Sequence, residues 1–539
     1  MLEKNELFRK NFDLIVYEYP ELADKINLFF ESPTPSPNDN DLPSPIPSME
    51  NIGDKDFIVL MGLGTDDFII NLRNEVLCST TILVVEKNLQ NFIHLICHHD
   101  VASMIEGWQV KFLIDIPPEK FDLYLNQYYF PIHNLMVINN YPDSEDYYKK
   151  IDLTNLPANR TQKNVPDKNF DFLMMVGTRG IGWPYIMQDV ICALHKLGHR
   201  VRLLHMERGN LKYQFREEIK NHRPDYIFML DAIGFMREEI VSARIPHVSW
   251  FFDNPFNWLK AEHVCDEYYV FVWDKTYVQE LKDLGFKNVH YMPLAANPDV
   301  FFDKKSDFIP QCDISFAGSS LWAPADPPFE EEAKKAYIKL LADSLSKTPW
   351  VSLWKIIEDI NKQLNINFQL NDPKGRREFE LFIQNYARTP YRNSFISEIL
   401  SFNPHLYGDA GWLKIATNGN GVYKGRINNR LNLPALYSKS AINLNITVPQ
   451  IRDSFSHRAF EIPACGGFLL SDYRPEAENF FDLNKEIVCF KDINELKDKI
   501  RYFLKHPEER KSIADKGRER VLSEHTYIHR LKKIIKIIA

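Results

Sequence analysis

Residues 456–472 read SHRAFEIPACGGFLLSD. An arginine, an acid one helical turn later, two glycines and an apolar run ending in Asp472 describe a short helix turning into a buried strand. The same alternation continues on both sides, in LPALYSKSAINLNI before it and in KEIVCF and DINELKDKIRYFLKH after it. In the last of these, Asp492 and Glu495 form a capping box, and Ile493, Leu496, Ile500 and Phe503 share one helix face. Strand-helix alternation of this kind predicts a parallel α/β sheet.

Further upstream, CDISFAGSS opens the unit, and a long run with helical spacing, roughly 328–400, separates it from HLYGDAG. A second βαβ series precedes it. FDFLMMVG leads into a glycine-rich turn, Gly177–Gly182, and a helix that stops at Gly198. RVRLLHM, a strand after Pro224, IPHVSWFFDNP, EYYVFVWD and NVHYMPLAAN follow. A smaller series, DFIVLMGLGTDD, TTILVVEKN and VKFLID, comes earlier still. The expected architecture is α/β, with two doubly wound Rossmann-like domains, an extra N-terminal α/β domain and a helical insertion. The expected segments are 1–50 (helix and Pro-rich linker), 51–160 (small Rossmann-like domain), 165–305, 306–525 with the insertion 328–400, and a C-terminal helix 526–539.

Composition narrows the function. The 539 residues carry 65 Lys+Arg against 73 Asp+Glu, a net charge of -8, which argues against a nucleic-acid backbone as partner. Seven cysteines with no C-x-x-C pair read as reduced, buried thiols. The charged N-terminus lacks a signal-peptide core, and no apolar run nears the ~20 residues of a bilayer span. A cytoplasmic protein without stable membrane insertion is expected. The terminal LKKIIKIIA is expected to dock on a domain face.

The chemistry-bearing residues suggest a phosphate site. A helix N-terminus favours anions, Arg458 near it can clamp a diphosphate with a planar fork, and Glu461 can accept ribose hydroxyls. Gly466 and Gly467 would let the next strand approach the ligand. The bland reading of Arg458 and Glu461 is an i, i+3 surface ion pair. Elsewhere, Gly62, Gly64 and Glu86 form a partial dinucleotide fingerprint whose third glycine is replaced by Asp67. His94 and His98 share a helix face, near His99 and Asp100, without an obvious further metal ligand. Asp39-Asn40-Asp41 matches D-x-D but lies in the Pro-rich linker. Asp253, past a strand's C-terminal end, is placed to orient or deprotonate an acceptor hydroxyl, or to form a turn before Asn254-Pro255. His247 is a second catalytic candidate on the same strand, and equally a packed strand residue.

From about Asp409 to the C-terminus the chain resembles GT-B glycosyltransferases, specifically the CgeB-like branch. The stretches LPALYSKSAINLNI, RAFEIPACGGFLLSD, EIVCFKDINELKDKIRYFLKHPEER and SEHTYIHR carry the resemblance, and FFDNPFNWL and YMPLAANPDVF extend it to roughly 170–539. The resemblance implies a second Rossmann-like domain that binds a nucleoside-diphosphate sugar, with a UDP-sugar the expected donor, and a first that binds the acceptor. It implies no required metal or other cofactor. By position, Arg458 contacts phosphate and Glu461 ribose. The turn Gly318-Ser319 offers amides to the diphosphate, and Lys424 and Arg426 are candidates for base or phosphate. The larger branches carry a further glutamate seven residues before the ribose one, where this chain has Ser454. VLMGLGTDD and ILVVEKN also resemble the N-terminal region of motility accessory factors, which modify flagellin. The resulting expectation is a hexosyltransferase-type enzyme acting on a protein, such as flagellin or a surface protein, or on a surface glycan. Two alternatives stay open: a non-catalytic sugar-nucleotide-binding or assembly protein, and a nucleotide- or methyl-donor-dependent enzyme working through Gly62 and Glu86.

Overall fold

The computed structural model describes residues 6–31, 57–64, 68–69, 71–72, 81–101, 110–118, 121, 135–140, 147, 169–176, 183–205, 211–231, 237–303, 311–321, 331–416, 421–427, 429–430 and 432–539. Asp39–Asp41, Asp67 and the Gly177–Gly182 turn lie outside these. The chain divides into two compact units, Met1–Leu230 with Phe235–Val248, and Asp231–Gly234 with Ser249–Ala539.

In the first unit, α1 (Glu6–Glu18) and α2 (Pro20–Glu31) precede β1 (Phe57–Met61), β2 (Thr81–Glu86), α3 (Leu89–His98), β3 (Val110–Ile114) and β4 (Leu135–Asn139). The four strands form a parallel sheet in the order β3-β2-β1-β4. The apolar runs of β1, β2 and β3 are buried on both faces, as helix-covered parallel strands require, while Val137 of β4 is exposed, and α1 and α2 add Ile15, Leu22 and Ile26 to the same core. The turn after β1 uses its glycines internally. The Glu86 carboxylate accepts from Leu63 N at 2.8 Å and Asn88 N at 2.7 Å and is 1% exposed. Burial pushes its pKa up against those hydrogen bonds. Asn140 donates to Gly62 O, and a side chain at Gly64 would strike Asn140 Nδ2 at 2.7 Å. The acid expected at a ribose therefore clasps the turn, and Asn140 fills the switch-point crevice. His94 and His98 stack, but His98 Nδ1 meets the His94 carbonyl, and no group of metal ligands assembles among the described residues.

The unit continues with β5 (Asp171–Val176), α4 (Trp183–Lys196), β6 (Arg200–His205), α5 (Leu211–Asn221), β7 (Tyr226–Leu230) and α6 (Arg237–Ala243). Here β5 pairs in parallel with both β6 and β7. The next strand, β8, spans His247–Phe251.

The second unit takes up this series with β9 (Tyr268–Val272), α7 (Thr276–Asp283) and β10 (Asn288–Tyr291). It then builds a full sheet from β11 (Cys312–Ala317), β12 (His405–Tyr407), β13 (Val422–Tyr423), β14 (Ser440–Asn445), β15 (Leu469–Asp472) and β16 (Val488–Phe490). Their order, β13-β12-β11-β14-β15-β16, is the 3-2-1-4-5-6 of a Rossmann sheet, as expected. Between β11 and β12 lie α8 (Glu332–Lys347), α9 (Leu353–Leu364) and α10 (Pro373–Glu398), with a core of their own around Leu341, Ile357 and Ile383. The remaining helices are α11 (Leu433–Lys439), α12 (Arg458–Ala464), α13 (Ala477–Phe480), α14 (Ile493–Lys505), α15 (Pro507–Glu524) and α16 (Tyr527–Ile538). Asp492 caps α14 through Glu495 N as predicted, while the Glu495 carboxylate reaches Lys491 N.

The C-terminal helix docks through Leu531, Ile534 and Ile538 and through the buried Arg530, which donates to the carbonyls of Pro293 and Leu294. No helix among the described residues is long and apolar enough to cross a membrane. Arg530 also donates to His525 Nδ1 at 3.0 Å, so the imidazole proton sits on Nε2, 3.0 Å from Phe480 O. Burial and the Arg530 charge push the His525 pKa down to about 3. A histidine held neutral contributes stability above its free pKa that is lost as the pH falls toward the folded value. In His525→Gln, the stability difference between pH 7 and pH 5 should shrink by up to ~2 kcal/mol, measured by urea denaturation at both pH values.

Candidate functional site

In the last sheet the strand order reverses between β11 and β14, so their C-terminal ends flank the switch-point crevice where α/β sheets bind ligands. The turn 318–320 leaves β11 there, and Asn445 ends β14. Asn445 is fully buried and organises the crevice wall. Its Oδ1 accepts from Ser456 Oγ at 3.0 Å and Arg458 Nε at 3.2 Å, and its Nδ2 donates to Ser471 Oγ at 3.0 Å. With Nε held, the Arg458 guanidinium lies 5.9 Å from the Phe316 ring centroid. A side chain at Gly318 would meet that ring at 3.1 Å and Arg458 Nη1 at 3.4 Å, so glycine leaves the guanidinium its place.

Arg458 has no carboxylate within ion-pair distance among the described residues, and Glu461 approaches His457 at 3.9 Å instead. The i, i+3 ion pair is therefore not formed. Glu461 sits one turn into the helix, 5% exposed. Burial and the Arg458 charge push the His457 pKa down to about 3, so this imidazole adds no charge beside Arg458 near neutral pH.

Two expectations about backbone groups are corrected. The helix α12 has only seven residues, and the amides of Ala459, Phe460 and Glu461 already donate to Ser456 and His457 carbonyls. These three amides are not available to an anion. Gly466 and Gly467 lie before β15, at the sheet end opposite the crevice. Gly466 takes φ +72° after the helix, and a side chain at Gly467 would strike Tyr437 O at 2.5 Å. They allow helix-to-helix packing, not approach to a ligand.

Two of the three amides in the 318–320 turn are likewise committed. Gly318 N donates to Tyr407 O and Ser320 N to the Asp409 carboxylate, which also takes both serine hydroxyls. Burial opposes ionisation of Asp409, but these hydrogen bonds hold its pKa below the usual range. Asp409 is aimed by Gly408, at φ +149°, whose side chain would otherwise lie 2.2 Å from Gly318 O. Ser319 remains exposed at the rim. Lys424 is exposed, and its charge acts on Cys312 and His405, at the starts of β11 and β12, away from Gly318. Arg426 is exposed, and its charge acts on Tyr423.

The other candidates lie on β8 and beyond. His247 is the first residue of β8, at the strand's N-terminal end, and is 3% exposed; burial pushes its pKa down to about 4. Asp253 lies two residues past the strand's other end and is exposed. Its Oδ1 takes Asn254 N at 2.7 Å, the turn-forming role, and its own amide is held by buried Asp231. Among the described residues, no hydrogen bond or ion pair joins Asp253 to Arg458.

Sequence reasoning missed two supports. Asp274, fully buried after β9, accepts from Arg452 N at 2.8 Å, Asp453 N at 2.9 Å and Ser454 N at 3.4 Å. Lys275 pairs with Glu476, and Tyr277 Oη donates to Gln450 O at 3.0 Å. Arg392, from α10, donates to Ser319 O at 2.8 Å and Ile446 O at 3.0 Å. A carboxylate followed by an aromatic helix and an arginine repeat at helical spacing were the available signals.

Residues 377–536 match the family described as glycosyl transferase-like, so the segment containing Arg458 and Glu461 carries the sequence pattern of sugar-transferring proteins. No curated protein matches the chain. Among solved structures, sucrose-phosphate synthase from Thermosynechococcus elongatus shares 11% identity over 68% of this chain and 98% of its own, with a TM-score of 0.44. A glycosyltransferase from Rickettsia africae shares 12% over 69% and 98%, with a TM-score of 0.42. Anabaena HepE, solved with UDP and glucose, shares 10% over 68% and 99%, with a TM-score of 0.38. Likenesses at these values bear on neither substrate nor site.

The geometry makes Asn445 the residue that aims Arg458. Asn445→Ala strips acceptors from Ser456 and Arg458, and should cost about 1–3 kcal/mol, read from the urea midpoint.

Proposed function

We propose that the chain is a metal-independent glycosyltransferase of GT-B architecture. It moves a sugar from a nucleoside-diphosphate sugar, a UDP-sugar by expectation, to a protein such as flagellin or a surface protein, or to a surface glycan. The donor belongs to the domain 306–525 and the acceptor to 165–305. One observation carries this reading: an arginine without a carboxylate partner is held at a Rossmann switch point, inside the segment with the glycosyl transferase-like pattern.

In the reaction the bond between the sugar's anomeric carbon and the diphosphate oxygen breaks. A bond from that carbon to the acceptor oxygen forms, and the acceptor hydroxyl gives its proton to a base. Negative charge grows on the departing diphosphate, so a guanidinium beside it stabilises the transition state more than the ground state. Arg458 takes that role and Glu461 accepts ribose hydroxyls. Asp253, exposed at the C-terminal edge of β8, is the candidate base.

Arg458→Ala should therefore lower turnover severely, with Lys restoring only part, because an ammonium lacks the bidentate fork. Glu461→Ala should chiefly weaken donor binding, by roughly 1.5–3 kcal/mol, equally for nucleotide sugar and free nucleoside diphosphate. Steady-state transfer and calorimetric titration, both in EDTA, separate the two effects. Full transfer by both variants sinks the reading, and binding without any turnover favours a non-catalytic nucleotide-sugar protein.

Asp253→Asn should reduce turnover by about 10²–10⁴-fold while leaving donor affinity intact. Full turnover in a folded variant leaves Asp253 as the turn-former alone.

A further inference from the structure

On α10, Glu380, Gln384, Arg388 and Arg392 recur every four residues and therefore form one stripe along the helix. The stripe is polar where a core-facing helix would be apolar. Arg392 is 4% exposed. Its two terminal nitrogens meet the carbonyls of Ser319 and Ile446, and its buried Nε has no hydrogen-bond partner. Carbonyls fix a guanidinium without neutralising it. Arg388 likewise has a buried Nε with no partner, and Gln384, 2% exposed, has Oε1 without one.

The stripe ends at the crevice. Ser319 and Ile446, which hold Arg392, follow β11 and β14. The Arg392 guanidinium lies 5.5 Å from the Phe316 ring centroid, and that of Arg458 5.9 Å from the same ring. Neither Arg388, Arg392 nor Arg458 has a carboxylate within ion-pair distance among the described residues. Asp472, whose field reaches Arg392, is tied to Arg474 at 3.1 Å and Tyr391 at 2.7 Å.

Buried charge without a counter-charge is costly, and an anionic ligand offsets the cost. We propose that Arg388 and Arg392 join Arg458 in a cradle of three guanidinium groups that binds the diphosphate of the donor. The proposal rests on the donor-site reading and adds that the helical insertion, not the glycine turn or α12 alone, supplies most of the positive charge. Burial and the neighbouring Arg458 draw the Arg392 pKa down to about 9, as expected of a cation awaiting an anion. Arginines so placed also do what a divalent ion would do for a leaving diphosphate.

The test is calorimetric titration of the full chain with UDP and with inorganic pyrophosphate, in EDTA and at two salt concentrations. Arg388→Gln breaks none of the hydrogen bonds described here, so it should fold as the parent does. It should weaken both probes about ten-fold or more, the effect of losing a charged hydrogen bond, and should lessen the salt sensitivity. Arg392→Lys, which keeps the charge, should lose less affinity than Arg392→Met. Affinities within two-fold of the parent in Arg388→Gln, with Arg392→Met no weaker than Arg392→Lys, while Arg458→Ala loses binding, overturn the cradle and leave the donor reading standing. Pyrophosphate binding that depends on Arg388 and Arg392, with no nucleotide sugar hydrolysed or transferred, upholds the cradle and overturns the donor reading. A parent chain that binds neither probe overturns both.

Discussion

One carboxylate sets the position of the segment that carries the site. Asp274, with no exposed surface, gathers three successive amides of residues 452–454 and two further donors from Thr276. Successive amides pointing at one centre make an anion nest, and here the anion is part of the chain. Arg452, whose amide joins the nest, uses its side chain on Glu280 at 2.6 Å and Glu380 at 3.5 Å, over the Tyr277 ring. Three residues separate Ser454 from Arg458. With the nest at one end and Asn445 gripping Ser456 at the other, α12 has little freedom in where it begins.

The consequence is an imbalance of charge at the switch point. Acids elsewhere in this unit are used: Asp472 holds Thr447 N and Arg474, Asp409 holds the serines of the 318–320 turn, and Glu380 holds Arg452. The arginines around Phe316 are fixed by carbonyls and an amide oxygen, neutral acceptors that orient without cancelling charge. In the described turn the amides of Gly318 and Ser320 are spent within the fold, which leaves little of a glycine-rich backbone cradle. Recognition of an anion here falls to side chains, which suits a ligand whose charge changes during reaction.

The strands, the α/β class and the segment around Arg458 were legible in the sequence because each is local: apolar runs bounded by turns, a capping residue, an arginine and an acid one turn apart. What was illegible depends on register between distant strands. Arg392 reads in the sequence as one charge on a helix rich in arginine, and only the placement of α10 against Ser319 and Ile446 distinguishes it from a solvated face. Asp274 reads as a helix-starting acid, which it is, since it also takes Thr276 N. Glu86 shows the opposite error. Its spacing from Gly62 imitates a ribose acid, yet its carboxylate turns back onto Leu63, and Asn140, just past β4, donates to Gly62 O. The glycine pair 466–467 reads in the sequence as an approach of β15 to a ligand, whereas a side chain at Gly467 would meet Tyr437, Asn443 and Ile462 instead.

If the crevice between β11 and β14 binds a nucleoside diphosphate, a crystal structure of the full chain with UDP will show it. Diphosphate density is expected against Arg458 beside Gly318, with the ribose at Glu461 and the Asp274 nest unchanged. Density at the Gly62–Gly64 turn, with the Arg458 crevice empty, would contradict it.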